Sequence, residues 1–158
     1  MNKYVIAYIS SIVLANLLVA AIGPWFSVIN SFVLIGLDLS LRDKLHESWS
    51  NNKLTQKMLA LILAAGAISY ALNPASGQIS IASVVAFCLS MAVDSAVFQR
   101  LKDRAWWFKS NTSNIAGAAV DSLLFPTIAF GALMPHIVAM QFASKIAGGF
   151  AWSLLLRK

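Results

Sequence analysis

Residues 91–130, MAVDSAVFQRLKDRAWWFKSNTSNIAGAAVDSLLFPTIAF, decide how the chain reads. The stretch opens as an apolar helix carrying one acid, Asp94. It passes through a basic, Trp-rich turn from Arg100 to Lys109 and resumes as a second apolar helix carrying Asp121. A carboxylate inside an apolar run is expensive wherever it sits, so it is either paired or used. The remainder of the chain is then whatever supplies partners for those two acids.

Composition sets the surroundings. Of the 158 residues, 59% are hydrophobic and only 11% are charged, with a mean hydropathy of +0.74. Soluble domains carry about 25% charged residues, so this chain has too little polar surface to cover a globule in water. It reads as an integral membrane protein. The single cysteine, Cys88, excludes a disulfide framework and any multi-cysteine metal site. A net charge of +6 raises the question of nucleic acid. All but one of the Lys and Arg residues, however, lie at or between apolar runs, as membrane-flanking charges do, so no nucleic-acid partner is expected.

Apolar runs at 4–22, 25–41, 58–72, 79–98, 115–133 and 136–156 predict six spanning helices in a single transmembrane domain covering 1–158. The connections alternate in character. Those near Gly23–Pro24, 73–78 and Met134–Pro135 are short and hold no basic residue. Those at 42–57 and 99–111 each hold four, namely Arg42, Lys44, Lys53 and Lys57, then Arg100, Lys102, Arg104 and Lys109. Lys3 marks one terminus, Arg157 and Lys158 the other. The positive-inside rule then predicts three tight hairpins with both termini cytoplasmic, in a multi-pass protein of the inner membrane. Trp49, Trp106, Trp107 and Trp152 fall at the inner interface and Trp25 at the outer one. Segment 42–57 is long enough for an amphipathic helix on the inner surface. No cleaved signal peptide and no soluble domain is expected.

Small residues recur at fourfold spacing in Ala7/Ser11/Ala15, Ala82/Ala86/Ser90 and Ala143/Ala147/Ala151. Such ladders let helices approach closely in lipid. Ordinary bundle packing is the first reading; a docking face for a second copy or another membrane protein is the other.

Among the polar residues within the spans, Asp121 and Lys145 stand out. Asp121 lies about 13 residues before the turn at Met134–Pro135 and Lys145 about 10 after it, which at 1.5 Å per residue differ in depth by only about 5 Å. Both would sit near mid-bilayer, where an unpaired charge costs at least about 3 kcal/mol, and a mutual ion pair removes that cost. The pair is then either a static strut or part of a site. Asp38 has Arg42 one turn on, which is either an ordinary i, i+4 pair or a ligand contact. Asp94 has Phe98 at i+4, and its neutraliser has to come from another helix or from a solute. Asn16, Asn30, Asn114 and Gln141 supply amides that suit either helix–helix bonds or a polar heterocycle. Pro126, one turn past Asp121, predicts a kink or an opened carbonyl at Ser122.

Other candidates fall away. The sequon Asn111-Thr112-Ser113 lies on the cytoplasmic side, and His46 and His136 stand alone, so no metal site or cofactor is expected. No phosphate loop, HExxH or Ser/His/Asp set is present, which argues against an enzyme.

The stretches FVLIGLDLSLR (32–42), VDSAVFQRLKDRAWW (93–107), GAAVDSLLFPTIAF (117–130) and FASK (142–145), with Asn16 in LANLLV, resemble the VUT family of vitamin-uptake transporters. Its best-known members are bacterial queuosine precursor transporters. The resemblance implies import of a 7-deazaguanine base such as preQ0 or preQ1 across the inner membrane, for salvage into tRNA queuosine. It carries the family's polar positions onto Asn16, Asp38, Arg42, Asp94, Arg100, Asp121 and Lys145. A deazaguanine keeps the ring N–H and amino donors of guanine's pairing edge, which one carboxylate accepts together through charge-assisted bonds. Asp121, held by Lys145, or Asp94 would read that edge, with Phe98 or Phe125 stacking on the ring. Asn16, Asn114 and Gln141 complete the substrate-binding set, while Asp38, Arg42 and Arg100 form an inner gate or ion pair.

Two other functions remain open on sequence grounds. Six helices and the ladder on the first are also similar to substrate-binding subunits of energy-coupling-factor vitamin importers. A non-transporting membrane scaffold is the reading from another class.

Overall fold

The computed structural model describes residues 2–49 and 53–155, with the side chains of 2, 43, 46, 47, 106, 107, 109, 110 and 153 excepted. Among the described residues the chain is all helical. Its elements are α1 (Asn2–Ile22), α2 (Phe26–Asn30), a π-helical turn (Ser31–Ile35), α3 (Gly36–Trp49), α4 (Leu54–Leu72), α5 (Gly77–Arg100), α6 (Trp106–Phe130) and α7 (Pro135–Leu155). The short α2, the π turn and α3 follow without a break, so six rods result.

Glycine and proline end the rods where the sequence places them. Gly23 and Gly131 adopt left-handed backbone, with φ of +100° and +70°. That conformation costs a side chain about 1–2 kcal/mol, and glycine escapes the cost. Pro24 and Pro135 then start new elements. Between α4 and α5 the turn is stitched by serine: Ser76 Oγ donates to the Ser69 carbonyl at 3.0 Å. These three turns lie at one end of the molecule. The Trp25 ring sits 5.3 Å from that of His136, and Gln78 Nε2 donates to the Ile128 carbonyl at 3.1 Å.

Neighbouring rods close a ring in the order α1, α4, α5, α6, α7, α2–α3 and back to α1. At the seam between α3 and α7 the helices approach backbone to backbone. A methyl group on Gly36 would lie 2.6 Å from the Gly148 carbonyl carbon, so the backbones themselves are in contact. Trp152 Nε1 donates to the Val33 carbonyl at 2.9 Å, inside the widened π turn. Tyr8, Ile12, Leu45, Met58 and Ile62 form the apolar core of the ring near its basic end.

Four helical stretches among the described residues are long and apolar enough to cross a membrane: Lys3–Ile22, Leu54–Leu72, Pro74–Arg100 and Asn111–Phe130. The α2–α3 rod and α7 carry Asp38, Arg42, Gln141 and Lys145, four of the buried polar residues. Ile6, Ile22, Ile81, Leu133 and Phe150 are exposed on the outside, the inverse of a soluble protein.

Several sequence expectations need correcting. Segment 42–49 is no separate surface helix; it continues α3, because Leu41, Leu45 and Trp49 form a buried stripe at helical spacing. Trp49 is therefore packed inside, with the Lys57 ammonium 5.2 Å from its ring, and does not join an interfacial belt. The basic turn is shorter than 100–109, since α6 already begins at Trp106. Pro126, by contrast, sits inside α6 as expected, where it has no N–H to give the Ser122 carbonyl. Ala143 and Ala147 face outward, whereas Ala82, Ala86 and Ser90 are buried at a helix contact. The side chains of His46, Trp106, Trp107 and Lys109, and residues Arg157 and Lys158, lie outside the described residues.

Candidate functional site

Two narrow hollows follow the axis of the ring. The first takes at least one side chain from every rod, among them Tyr8 from α1, Asp38 from α3, Ile62 from α4, Ser90 from α5, Asp121 from α6 and Lys145 from α7. It holds about 370 Å³ between atoms, its mouth included, with only water-sized room at any one point. The second, of about 290 Å³, is lined by Asn16, Ser27, Asn30, Ser83, Phe125 and Gln141. Ile35, Phe87, Asp121 and Lys145 line both. On every rod that contributes to the two, the second hollow's residues lie closer to the turns at 23–25, 73–76 and 131–134. It is therefore stacked above the first along the axis.

The Lys145 ammonium, 2% exposed, is fully committed. It lies 2.5 Å from Asp121 Oδ2 and donates to Ser122 Oγ at 3.1 Å and Gln141 Oε1 at 3.3 Å. An ammonium has three protons, and these three partners use them all. Gln141 Nε2 in turn donates to Ser27 Oγ at 2.7 Å, and Ser27 donates to the Pro24 carbonyl. A polar chain thus runs from the Pro24 turn to the centre of the ring. Ser122 is the neighbour that sequence reading passed over; its place beside the acid was the available signal.

The acceptors are not all satisfied. Asp121 Oδ1, Asp38 Oδ1 and Asn30 Oδ1 are buried without a hydrogen-bond partner. Asp38 is only 2% exposed and Asp121 5%. Native interiors leave few such atoms, and each calls for an explanation. The arrangement as it stands offers acceptors to an occupant that brings donors.

The remaining sequence candidates divide. Asn16 lines the second hollow and donates to Ser69 Oγ at 3.1 Å. Asn114 lines neither hollow; its Oδ1 accepts from Arg42 Nη2 at 3.3 Å and ties α3 to α6. Asp38 faces the first hollow beside Arg42. Asp94 is half-buried where α5 meets Gly117 of α6, outside both hollows, and its Oδ1 is buried without a partner. Arg100 is exposed in the last turn of α5 and lines neither hollow. Phe125 lines the second hollow and Phe98 neither. Among the described residues no group of three His, Cys, Asp or Glu side chains is placed to hold a metal ion.

An apolar exterior, several membrane-crossing helices and a charged, buried interior define a multi-pass membrane protein built round an internal polar site. Residues 3–155 match the family described as "Putative vitamin uptake transporter", and the chain belongs to that family. No curated protein and no solved structure matches it at a significant level. Its setting is accordingly the lipid bilayer, and its ligand class a small molecule.

Proposed function

We propose that this chain imports a 7-deazaguanine base, such as preQ0 or preQ1, across the inner membrane for salvage into tRNA queuosine. The proposal takes both termini as cytoplasmic and residues 1–158 as one transmembrane domain. The observation that carries it is the pair of buried, unpartnered carboxylate oxygens on Asp38 and Asp121, facing one hollow lined by all six rods. A deazaguanine edge presents adjacent N–H donors, and bonds from such donors to carboxylates are about twice as strong as neutral ones. Each acid leaves one buried oxygen, Asp38 Oδ1 and Asp121 Oδ1, and the two together can accept the two donors of the edge. Arg42 and Asn114 then close the basic end. Passage of a ring requires the rods to part, because the hollows have only water-sized room.

Uptake of radiolabelled preQ0 into proteoliposomes holding this protein alone is the test. Accumulation or exchange supports a stand-alone carrier. Binding without movement, with movement restored by an ATPase module, transfers the proposal to an energy-coupling-factor subunit. That second reading rests on the six helices and small size as well as the ladder on α1, of which Ser11 and Ala15 are buried within the ring.

A further inference from the structure

Three of the unpartnered acceptors belong to residues lining the hollows and mark successive depths. Asn30 Oδ1 belongs to the hollow near the short turns, Asp38 Oδ1 to the one near the basic ends, and Asp121 Oδ1 to an acid that lines both. The two hollows differ in chemistry. The first combines acids with Arg42 and Lys145; the second is walled by amides and hydroxyls, with Phe125 and Phe87 as aromatic faces. Between them stand Ile35, Phe87 and the Asp121–Lys145 ion pair, which forms a septum.

We propose that the hollow around Asn30, Ser83 and Gln141 is a separate docking station, where a flat, N–H-bearing heterocycle rests before it crosses the septum to Asp38. The inference rests on the substrate reading above and adds a second site to it. Asn30 is 5% exposed, its amide nitrogen donates to the Ala15 carbonyl at 3.2 Å, and its oxygen is left for a donor from the solute. No net charge besides the shared ion pair lies in this station, so a neutral ring is held there without desolvating an ion. Asp121, which lines both hollows, is the acid that a solute keeps while it moves.

Ser83 and Ser90 report the two stations separately. They lie on one face of α5, seven residues and about 10 Å apart, the first lining the Asn30 hollow and the second the Asp38 hollow. In a Cys88→Ser background, Ser83→Cys and Ser90→Cys would each be labelled with a small thiol reagent, with preQ0 as the protecting solute and adenine as the control. At about ten times the Kd, occupancy should slow labelling about tenfold. Protection is expected at both cysteines. With Asp38→Asn added, protection should vanish at Ser90→Cys and persist at Ser83→Cys, and Asn30→Ala should remove the protection that persists at Ser83→Cys. Simultaneous loss at both positions on Asp38→Asn alone would mean one station and overturn the inference while leaving the substrate reading in place. Labelling that preQ0 slows at neither cysteine would overturn the substrate reading, and the second station with it.

Discussion

Lys145 and Asp121, 24 residues apart in sequence, meet at 2.5 Å between α7 and α6, and the contact divides the interior of the ring in two. The pair is structural and functional in separable ways. Removing one partner of a buried pair costs about 3–5 kcal/mol, while replacing both with apolar residues is about neutral. Lys145→Met alone should therefore melt markedly earlier in detergent. Lys145→Met with Asp121→Leu should recover the wild-type melting temperature and still fail to take up solute. Recovery of uptake in the double variant would reduce the pair to a strut.

Asp38 behaves differently because its Oδ1 is buried without a hydrogen bond. Asp38→Asn keeps the shape but leaves the buried Arg42 guanidinium beside a neutral amide, so it should melt below wild type, by less than Lys145→Met. Uptake should fall at least about tenfold, the loss of roughly one charge-assisted bond at 1.4 kcal/mol or more. Melting curves and initial uptake rates on the same preparation check both halves.

Gly36 has no room for a side chain. A methyl group there would press on the Gly148 backbone, and overpacking of this kind costs about 1–3 kcal/mol. Gly36→Ala should lower the melting temperature and slow uptake, by wedging α3 from α7. Gly131→Ala, at an open turn with positive φ, should cost about 1–2 kcal/mol with little change in uptake.

Arg100 and Asp94, both carried into the candidate set by the family resemblance, line neither hollow, and Arg100 is exposed. Arg100→Gln should leave uptake within about twofold of wild type, the level of a surface change. Asp94→Asn should do the same, since it alters the α5–α6 contact rather than the site.

How much was legible follows from what each residue type can signal. Hydropathy marked the helical rods, and Gly23, Pro24, Gly131 and Pro135 marked their turns, because these are local properties. Counting residues from a turn brought Asp121 and Lys145 to one depth, since helix rise converts number into height. Azimuth is harder. In a chain that is apolar on nearly every face, little in the sequence says which way Asp94, Ala143 or Arg100 points. The inward turn of Asn30 and Ser83 was equally hidden, as was the continuation of α3 past Arg42 that buries Trp49. Those depend on which rods are neighbours, a property of the closed ring.

The most direct measurement is the affinity of the purified protein for preQ0 and for its analogue without the 2-amino group, by calorimetry in detergent. If buried acceptors on Asp38 and Asp121 read the donor edge, preQ0 binds at least about tenfold more tightly, since the analogue strands an acceptor in the interior. Equal affinity for the two, or no heat from either, would contradict the account.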